Sequence, residues 1–185
     1  MKLLVAALAS ELQAFPAELP GFARLVTGPG KLKAAVSLTR ALDATHYDEI
    51  VVVGTAGGLD HTVADGIYEI GAAIQHDVHD LDGVAGRHVS LPERVETDHE
   101  GLTIATGDVF VDDADAVARI REMGASLVDM ESFALIWVAQ QFGVPLRMIR
   151  IVSDTAQDGA TTLWDDVVAD CSAKLWEHLR REYAL

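Results

Sequence analysis

Apolar runs alternate along the chain with segments in which apolar residues recur at the helical period. Short apolar runs bounded by turn residues predict strands. The predicted strands are Lys2–Ala7, Phe22–Thr27, Ile50–Val53, Ile67–Gln75, Thr103–Thr106, Leu127–Val128 and Leu146–Val152. The predicted helices are Leu32–Leu42, Ala114–Met123, Ser132–Phe142 and Leu163–Tyr183. The third of these helices stops at the glycine and proline of Gly143-Val144-Pro145, a typical helix end.

Strands that alternate with helices are typical of α/β proteins with a parallel sheet. We therefore predict a three-layer α/β/α sandwich around a mixed, mostly parallel central sheet. The chain has 185 residues, of which 50% are hydrophobic, and this suffices for one buried core. Because no linker or internal repeat divides the sequence, we expect residues 1–185 to form a single domain.

The charge pattern excludes several classes of partner. The chain has 29 acidic and 14 basic residues and a formal net charge of −15, which repels nucleic-acid phosphates. The apolar run at the N-terminus ends near Leu8 and lacks the flanks of a signal peptide, and no segment could span a membrane. We therefore expect a cytoplasmic protein with neither nucleic acid nor membrane as partner. The lone cysteine, Cys171, is interpreted as a small core residue.

Carboxylates follow the ends of several predicted strands. Glu11 comes after the first strand, Glu131 after Leu127–Val128, and Asp154 after Leu146–Val152. In open α/β sheets ligands bind at the carboxyl ends of strands, so these three side chains are expected to share one cleft. Taken singly, each is better explained as a helix-capping residue. Their recurrence at several strand ends, with aromatic and thioether side chains nearby, favours a site.

Two glycine-rich segments and one cluster of His and Asp are weak motifs. "GTAGG" from Gly54 lacks the dinucleotide spacing, and "GPGK" from Gly28 lacks the P-loop pattern, so each is interpreted as a turn. The side chains of "HDVHDLD", from His76 to Asp82, would alternate between two faces of a strand. We therefore expect neither a metal ion nor a cofactor.

Five segments in order carry a resemblance to a known family. They are "TGPGKLKAAVSLTRAL", "VVVGTAGGLD", "ATGDVFVDD", "LVDMESFALIWVAQQFGVP" and "MIRIVSDTAQD". Together they resemble the nucleoside phosphorylase/nucleosidase superfamily over nearly the whole chain, most closely the branch that hydrolyses 5'-methylthioadenosine and S-adenosylhomocysteine. The most specific part is the M-E-S stretch followed by R-x-x-S-D.

The resemblance implies roles for individual residues. Asp154 would be the general acid that protonates N7 of the purine, Glu11 would activate the attacking water, and Glu131 would hold the ribose 2'- and 3'-hydroxyls. Met130 would pack on the ribose face. At the base, the implied substrate-binding residues are Phe110, the backbone of Val111, and Trp164 beside it. Thr55 and Arg150 would lie near the water and Glu131. The remaining two are Ser153, next to the general acid, and His79.

The proposed chemistry needs these residue types. Breaking an N-ribosidic bond places positive charge on the sugar and electrons on the purine. Protonation lets the purine leave, a carboxylate stabilises the cationic sugar, and a positioned water completes the displacement. The expected substrate is thus a purine nucleoside with water as co-substrate.

The sequence departs from the family in one region. Gly83–Gly101 is a short polar connection where relatives usually carry a longer loop and another helix, so the resemblance implies the reaction but not the pocket for the 5' substituent. A homodimer is expected because family sites are completed across subunits, with His79 reaching the neighbouring site.

Three alternatives remain open. A phosphorylase would bind phosphate near the first strand, where Glu11 would repel it. A nucleosidase for another purine nucleoside, such as futalosine, would use the same residues. A non-catalytic nucleoside-binding protein would not need all three carboxylates.

Overall fold

The computed structural model describes residues 1–59, 63, 66–155 and 164–185, with the backbone alone for 154, 155 and 164–166. Eight strands form a mixed sheet in which five of the eight strand pairings are parallel. The strands are β1 (Lys2–Ala6), β2 (Phe22–Val26), β3 (Glu49–Gly58), β4 (Ile67–Gln75), β5 (Arg94–Glu96), β6 (Leu102–Thr106), β7 (Leu127–Asp129) and β8 (Leu146–Thr155).

Among the elements that the structure describes, four α-helices and a short 3-10 helix flank the sheet. The α-helices are α1 (Lys31–Ala44), α2 (Ala114–Glu122), α3 (Ser132–Phe142) and α4 (Trp164–Glu182), and the 3-10 helix is Ala9–Leu12. Helix α3 ends as the sequence predicts, because Gly143 takes the left-handed conformation with φ 65°. Among the helices that the structure describes, none is both long and apolar enough to cross a membrane.

Both faces of the sheet are buried, which explains the near-continuous apolar strands. In β1, Leu3 and Val5 pack into one core with α1 and α3. The alternate residues Leu4 and Ala6 face a second core with α4. Cys171 is buried in this second core, which confirms its interpretation as a core residue. The layered α/β/α arrangement with a mostly parallel sheet is therefore confirmed.

Five strands close on themselves, a feature that the sequence does not indicate. Strand β3 pairs with β8, β8 with β4, β4 with β6, β6 with β7, and β7 returns to β3. The strands β1 and β2 extend the sheet outward from β3. The closure brings the ends of β3, β7 and β8 together on one side of the molecule.

The prediction of a turn at "GTAGG" is wrong. This segment is the last part of β3, which runs to Gly58 because β8 pairs with it in parallel and β7 pairs with its end. The register between β3 and β8 shifts between Ala56 and Gly57, so the two strands diverge locally where they meet the pocket described below.

The polar connection Gly83–Gly101 also contains a strand. Strand β5 covers Arg94–Glu96 and pairs antiparallel with β4. A three-residue strand with charged residues on either side of one buried valine has too little pattern to be recognised in the sequence.

Candidate active site

A pocket opens where the ends of β3, β7 and β8 meet the loop after β6. Its empty space, counted out into the solvent at its open mouth, is about 660 Å³. Its lining comes from segments that are far apart in the sequence. The lining residues are Ala7, Leu8, Glu11, Pro29, Thr55, Ala56, Gly57, Val109, Phe110, Val111, Val128, Asp129, Met130, Glu131 and Ser153.

Glu11 enters the pocket from the short 3-10 helix after β1, and it is only 3% exposed. One carboxylate oxygen accepts hydrogen bonds from the backbone N–H groups of Ala7 at 3.1 Å and Leu8 at 2.9 Å. The other accepts from the N–H of Thr55 at 2.7 Å and its hydroxyl at 3.0 Å. The contact with Leu8 is a helix-capping contact, but the contacts with Thr55 tie Glu11 to a distant strand. Glu11 is thus both a local cap and a fixed part of the pocket.

Gly54 makes room for this arrangement. A Cβ atom at Gly54 would overlap a guanidinium nitrogen of Arg150 and would lie 2.8 Å from an oxygen of Glu11. Gly54 and Arg150 are also paired in the register of β3 and β8. Only glycine therefore allows the carboxylate and the buried guanidinium to approach the same point of β3.

Glu131 occupies the N-cap position of α3 but does not cap the helix with its side chain. Its carboxylate is 6% exposed and accepts a hydrogen bond of 2.7 Å from the backbone N–H of Gly30. The alternative explanation of Glu131 as a simple capping residue is therefore wrong. The side chain instead reaches the loop before α1, at the edge of the pocket.

Asp129 performs the capping and holds a buried ion pair. It accepts hydrogen bonds from the N–H of Ser132 at 3.0 Å and from the hydroxyl of Thr106 at 2.8 Å. Arg150, which is 1% exposed, donates to the same carboxylate at 2.7 Å. Asp129 was not predicted as a site residue, because it is the last residue of β7 and lies two residues before the N-cap position of α3, so no helix-start signal singles it out.

The pKa of Glu131 is raised to about 7. Burial is the largest cause, and the charges of Asp129 and Glu11 act in the same direction. The charge of Arg150 and the hydrogen bond from Gly30 oppose the shift without cancelling it. Arg150 thus lies near Glu131, as the sequence analysis predicted, but its ion pair is with Asp129.

Part of the pocket lining is apolar. Phe110 lies in the loop between β6 and α2 with 55% of its surface exposed, while the neighbouring Val111 is 6% exposed. Met130 lines the pocket directly before Glu131. The structure therefore brings Phe110, Val111 and Met130 to the same cavity as Glu11 and Glu131. A flat aromatic surface and a thioether are suited to a planar ring and a sugar face.

The end of β8 forms a further part of the wall. Ser153 lines the pocket, and the backbone of Asp154 pairs with Gly57, another lining residue. The Asp154 backbone is thus placed next to the cavity. The side chains of Asp154 and Trp164, both named by the sequence analysis, lie outside the described residues.

His79 does not line this pocket. It is exposed and forms an isolated bridge with Ala85 beyond the end of β4. The carboxylates near it turn to local partners: Asp80 accepts from the N–H of Val84 at 2.8 Å, and Asp77 pairs with Lys31 at 2.6 Å. The predicted role of His79 in a neighbouring subunit's site stays a prediction.

The profile of the Phosphorylase superfamily matches residues 24–181. This match covers most of the chain, and the chain belongs to this superfamily. The family resemblance seen in the sequence is thereby confirmed.

Individual relatives carry a narrower name. The 5'-methylthioadenosine/S-adenosylhomocysteine nucleosidase of Bacillus pumilus (strain SAFR-032) is 34% identical, over 76% of this chain and 71% of the relative. The nucleosidase of the same name from Bacillus subtilis (strain 168) is 32% identical, over 71% of this chain and 67% of the relative. The prediction of a nucleosidase, an N-glycosyl hydrolase, is confirmed at this level.

Solved structures share the fold. The native futalosine hydrolase of Helicobacter pylori strain 26695 superposes with a TM-score of 0.85 at 21% identity, covering 97% of this chain and 95% of that one. The Helicobacter pylori 5'-methylthioadenosine/S-adenosylhomocysteine nucleosidase, solved with a bound ligand, gives 0.84 at 22% identity, covering 97% and 96%. These two neighbours differ in substrate, so their likeness establishes the architecture alone.

Proposed function

We propose that this protein hydrolyses the N-ribosidic bond of 5'-methylthioadenosine and S-adenosylhomocysteine, releasing adenine and the 5-thioribose. The observation that carries the proposal is the meeting of two buried glutamates, Glu11 and Glu131, in one pocket with an apolar wall. The relatives' shared name supports the choice of substrate.

The proposed roles divide the pocket into a water side and a sugar side. Glu11 accepts a proton from the attacking water, and its four hydrogen bonds fix its position for that task. Glu131 accepts hydrogen bonds from the ribose 2'- and 3'-hydroxyls and stabilises the positive charge that develops on the sugar. Met130 shields the ribose face from solvent.

The base is assigned to the remaining wall. Phe110 stacks on the purine, and the backbone of Val111 contacts its edge. Asp154 protonates N7, so that adenine leaves as a neutral base. The proposed site also includes three positioning groups around the carboxylates, namely Ser153, Thr55 and Arg150. Trp164 is proposed as an aromatic side chain beside the base.

Charge supports water rather than phosphate as the nucleophile. Among the described residues that line the pocket, none is basic, and three are carboxylates: Glu11, Asp129 and Glu131. Arg150 is close but buried and paired with Asp129. A phosphate dianion at this place would meet repulsion without a free cation to offset it.

A panel of substrates in phosphate-free buffer tests the proposal. The pure protein is incubated with 5'-methylthioadenosine, S-adenosylhomocysteine, adenosine, inosine and futalosine, and base release is followed by chromatography. We expect the first two to be cleaved fastest. Preference for futalosine or inosine would replace the proposed substrate, and no release from any would contradict the proposed function.

The general acid is tested separately with Asp154→Asn. We expect base release to fall by about three orders of magnitude, since an amide supplies no proton of comparable acidity to the leaving purine. Binding of adenine nucleosides, measured by calorimetry, is expected to change by less than about tenfold. Turnover that survives the substitution would show that another group protonates the base.

We further propose that residues 1–185 act as one domain and pair as a homodimer, with His79 near the partner's site. Exposed apolar side chains support a buried interface: Leu32 is 80%, Leu81 88% and Val109 62% exposed. Sedimentation equilibrium tests the pairing. A monomer that cleaves substrate at full rate would contradict both the homodimer and the role of His79.

A further inference from the structure

Lys31, Asp77 and Asp108 form a closed group of contacts beside the pocket, outside the residues assigned above. The Nζ atom of Lys31 lies 2.6 Å from one oxygen of Asp77. The other oxygen of Asp77 accepts from the N–H of Asp108 at 2.8 Å. The carboxylate of Asp108 in turn accepts from the N–H of Lys31 at 2.8 Å. We call this three-residue group the clasp.

The clasp joins three segments that are far apart in the sequence. Lys31 begins α1, Asp77 follows β4, and Asp108 lies in the loop after β6. The ion pair is partly shielded, with side chains 18% and 14% exposed, and Lys31 also donates to Gln75 at 3.0 Å. Burial acts to raise the pKa of Asp77, but the hydrogen bonds from Lys31 and the Asp108 backbone, together with the charges of Lys31 and His76, lower it overall.

Two members of the clasp, Lys31 and Asp108, lie close in sequence to residues that contact or line the pocket. Gly30, directly before Lys31, donates its N–H to Glu131 at 2.7 Å. Phe110 and Val111, which come two and three residues after Asp108, belong to the apolar part of the pocket lining. A Cβ atom at Gly30 would lie only 2.9 Å from an oxygen of Asp108, so these two segments are in close contact.

We propose that Lys31 and Asp77 are positioning residues, which hold the Gly30 N–H on Glu131 and set its spacing from the loop carrying Phe110. This inference rests on the proposed function, because it concerns the grip on the ribose and the base. The clasp touches neither the proposed water nor the scissile bond. Its loss is therefore expected to weaken substrate binding more than it slows the chemical step.

Lys31→Met removes the cation while retaining most of the side-chain volume. We expect KM for the preferred nucleoside to rise about tenfold and kcat to change by less than about threefold. The matched control is Lys33→Met, which removes the same charge from an exposed position of the same helix. Lys31→Arg should restore most of the affinity, because it keeps a cation within reach of Asp77.

The pH profile separates positioning from a general loss of stability. The groups that act on Glu131 are Asp129, Arg150, Glu11 and the Gly30 N–H. Of these, Arg150 and the Gly30 contact lower the pKa of Glu131. Loss of the Gly30 contact in Lys31→Met should therefore move the acid limb of kcat/KM to higher pH, by about half a unit. Lys33→Met should leave the limb in place.

A double-mutant cycle with Asp77→Asn tests whether the two residues act together. If they form one clasp, the double variant should match the more impaired single variant within about twofold in kcat/KM. If the reductions in kcat/KM of the two single variants multiply in the double variant, the residues act independently and the proposal is overturned.

A measurement without substrate keeps this proposal distinct from the proposed function. In the unmodified protein, the Gly30 amide resonance should shift with pH as Glu131 ionises, and in Lys31→Met that shift should shrink. If the shift shrinks but no nucleoside is cleaved, the proposed function fails and the clasp stands. If the Gly30 resonance behaves identically in both proteins, the clasp does not position it.

Discussion

Glu11 and Glu131 are the same residue type, at 3% and 6% exposure, in one pocket, yet their surroundings differ sharply. Glu11 accepts four hydrogen bonds, two on each oxygen, from backbone and hydroxyl donors. Among the described residues, Glu131 accepts one hydrogen bond, from the backbone N–H of Gly30, and lies near the charge of Asp129. Burial alone therefore does not define the role of a carboxylate; the donors and charges around it do.

This difference in surroundings agrees with the different roles proposed for Glu11 and Glu131. A group that takes a proton from water benefits from a fixed position, which four donors supply to Glu11. A group that binds two ribose hydroxyls needs unfilled acceptor capacity, which Glu131 retains. Its raised pKa of about 7 also means that its binding strength should vary near neutral pH.

The largest expected effect is that of Glu11→Gln. An amide cannot take the proton from water, so phosphate-free base release should fall about a thousandfold or more. Because an amide nitrogen also meets the N–H donors of Ala7, Leu8 or Thr55, the variant should be less stable as well. Activity assays at several temperatures below the unfolding midpoint separate the loss of catalytic rate from the loss of stability. A phosphate-dependent rate that persists would favour a phosphorylase.

Glu131→Gln should have a smaller effect on the rate. The variant keeps one oxygen for a ribose hydroxyl but loses the negative charge beneath the sugar, so kcat/KM should fall about a hundredfold. The exposed Glu122→Gln serves as a control for loss of an acidic residue. If Glu131→Gln and Glu11→Gln lower kcat equally and leave KM unchanged, the division between sugar side and water side is wrong.

Gly30→Ala tests the single contact that orients Glu131. Gly30 has φ 94°, and an added Cβ would lie 2.9 Å from Asp108. We expect a loss of about 2 kcal/mol in the free energy of unfolding and a rise in KM, since the N–H would move from Glu131. Gly143→Ala is the matched control: its φ is 65° but its Cβ would meet nothing within 4 Å. It should cost about 1 kcal/mol and leave KM unchanged.

The last expected effect is a dependence of the free energy of unfolding on pH. Because the pKa of Glu131 rises from 4.5 to about 7 on folding, the folded state holds a proton that the unfolded state releases between these values. The contribution of Glu131 to stability should thus fall as pH rises from about 4.5 to 7. Urea titrations should show a steeper decline in the unmodified protein than in Glu131→Gln. Equal slopes would contradict the raised pKa.

Local patterns predicted most of the fold because both sheet faces are buried and the helix ends carry standard signals. Ser132–Phe142 is correct at both ends, and the predicted strands correspond to seven of the eight observed. The exceptions depend on distant pairing: "GTAGG" is extended only because β8 and β7 pair with it. Likewise, no single segment of the sequence indicates that five strands close on themselves.

In the candidate site, too, local patterns predict some features, while others depend on contacts between distant segments. The meeting of Glu11 with Glu131 followed from their places at strand ends, and the structure places both in one pocket. Apart from the local contacts of Glu11 with Ala7 and Leu8, the contacts that set their environments were not predictable, because they join distant segments. Asp129 with Arg150, and Lys31 with Asp77, are pairs whose members lie 21 and 46 residues apart. Such partners can be assigned only once the strands that carry them are aligned.

The phosphate dependence of the reaction tests the central claim most directly. Initial rates with 5'-methylthioadenosine are measured without phosphate and at saturating phosphate, and the sugar product is identified by mass spectrometry. We expect adenine and free 5-methylthioribose to form at the same rate in both conditions. A sugar 1-phosphate, formed only when phosphate is present, would contradict the role of Glu11 and the assignment of the pocket to hydrolysis.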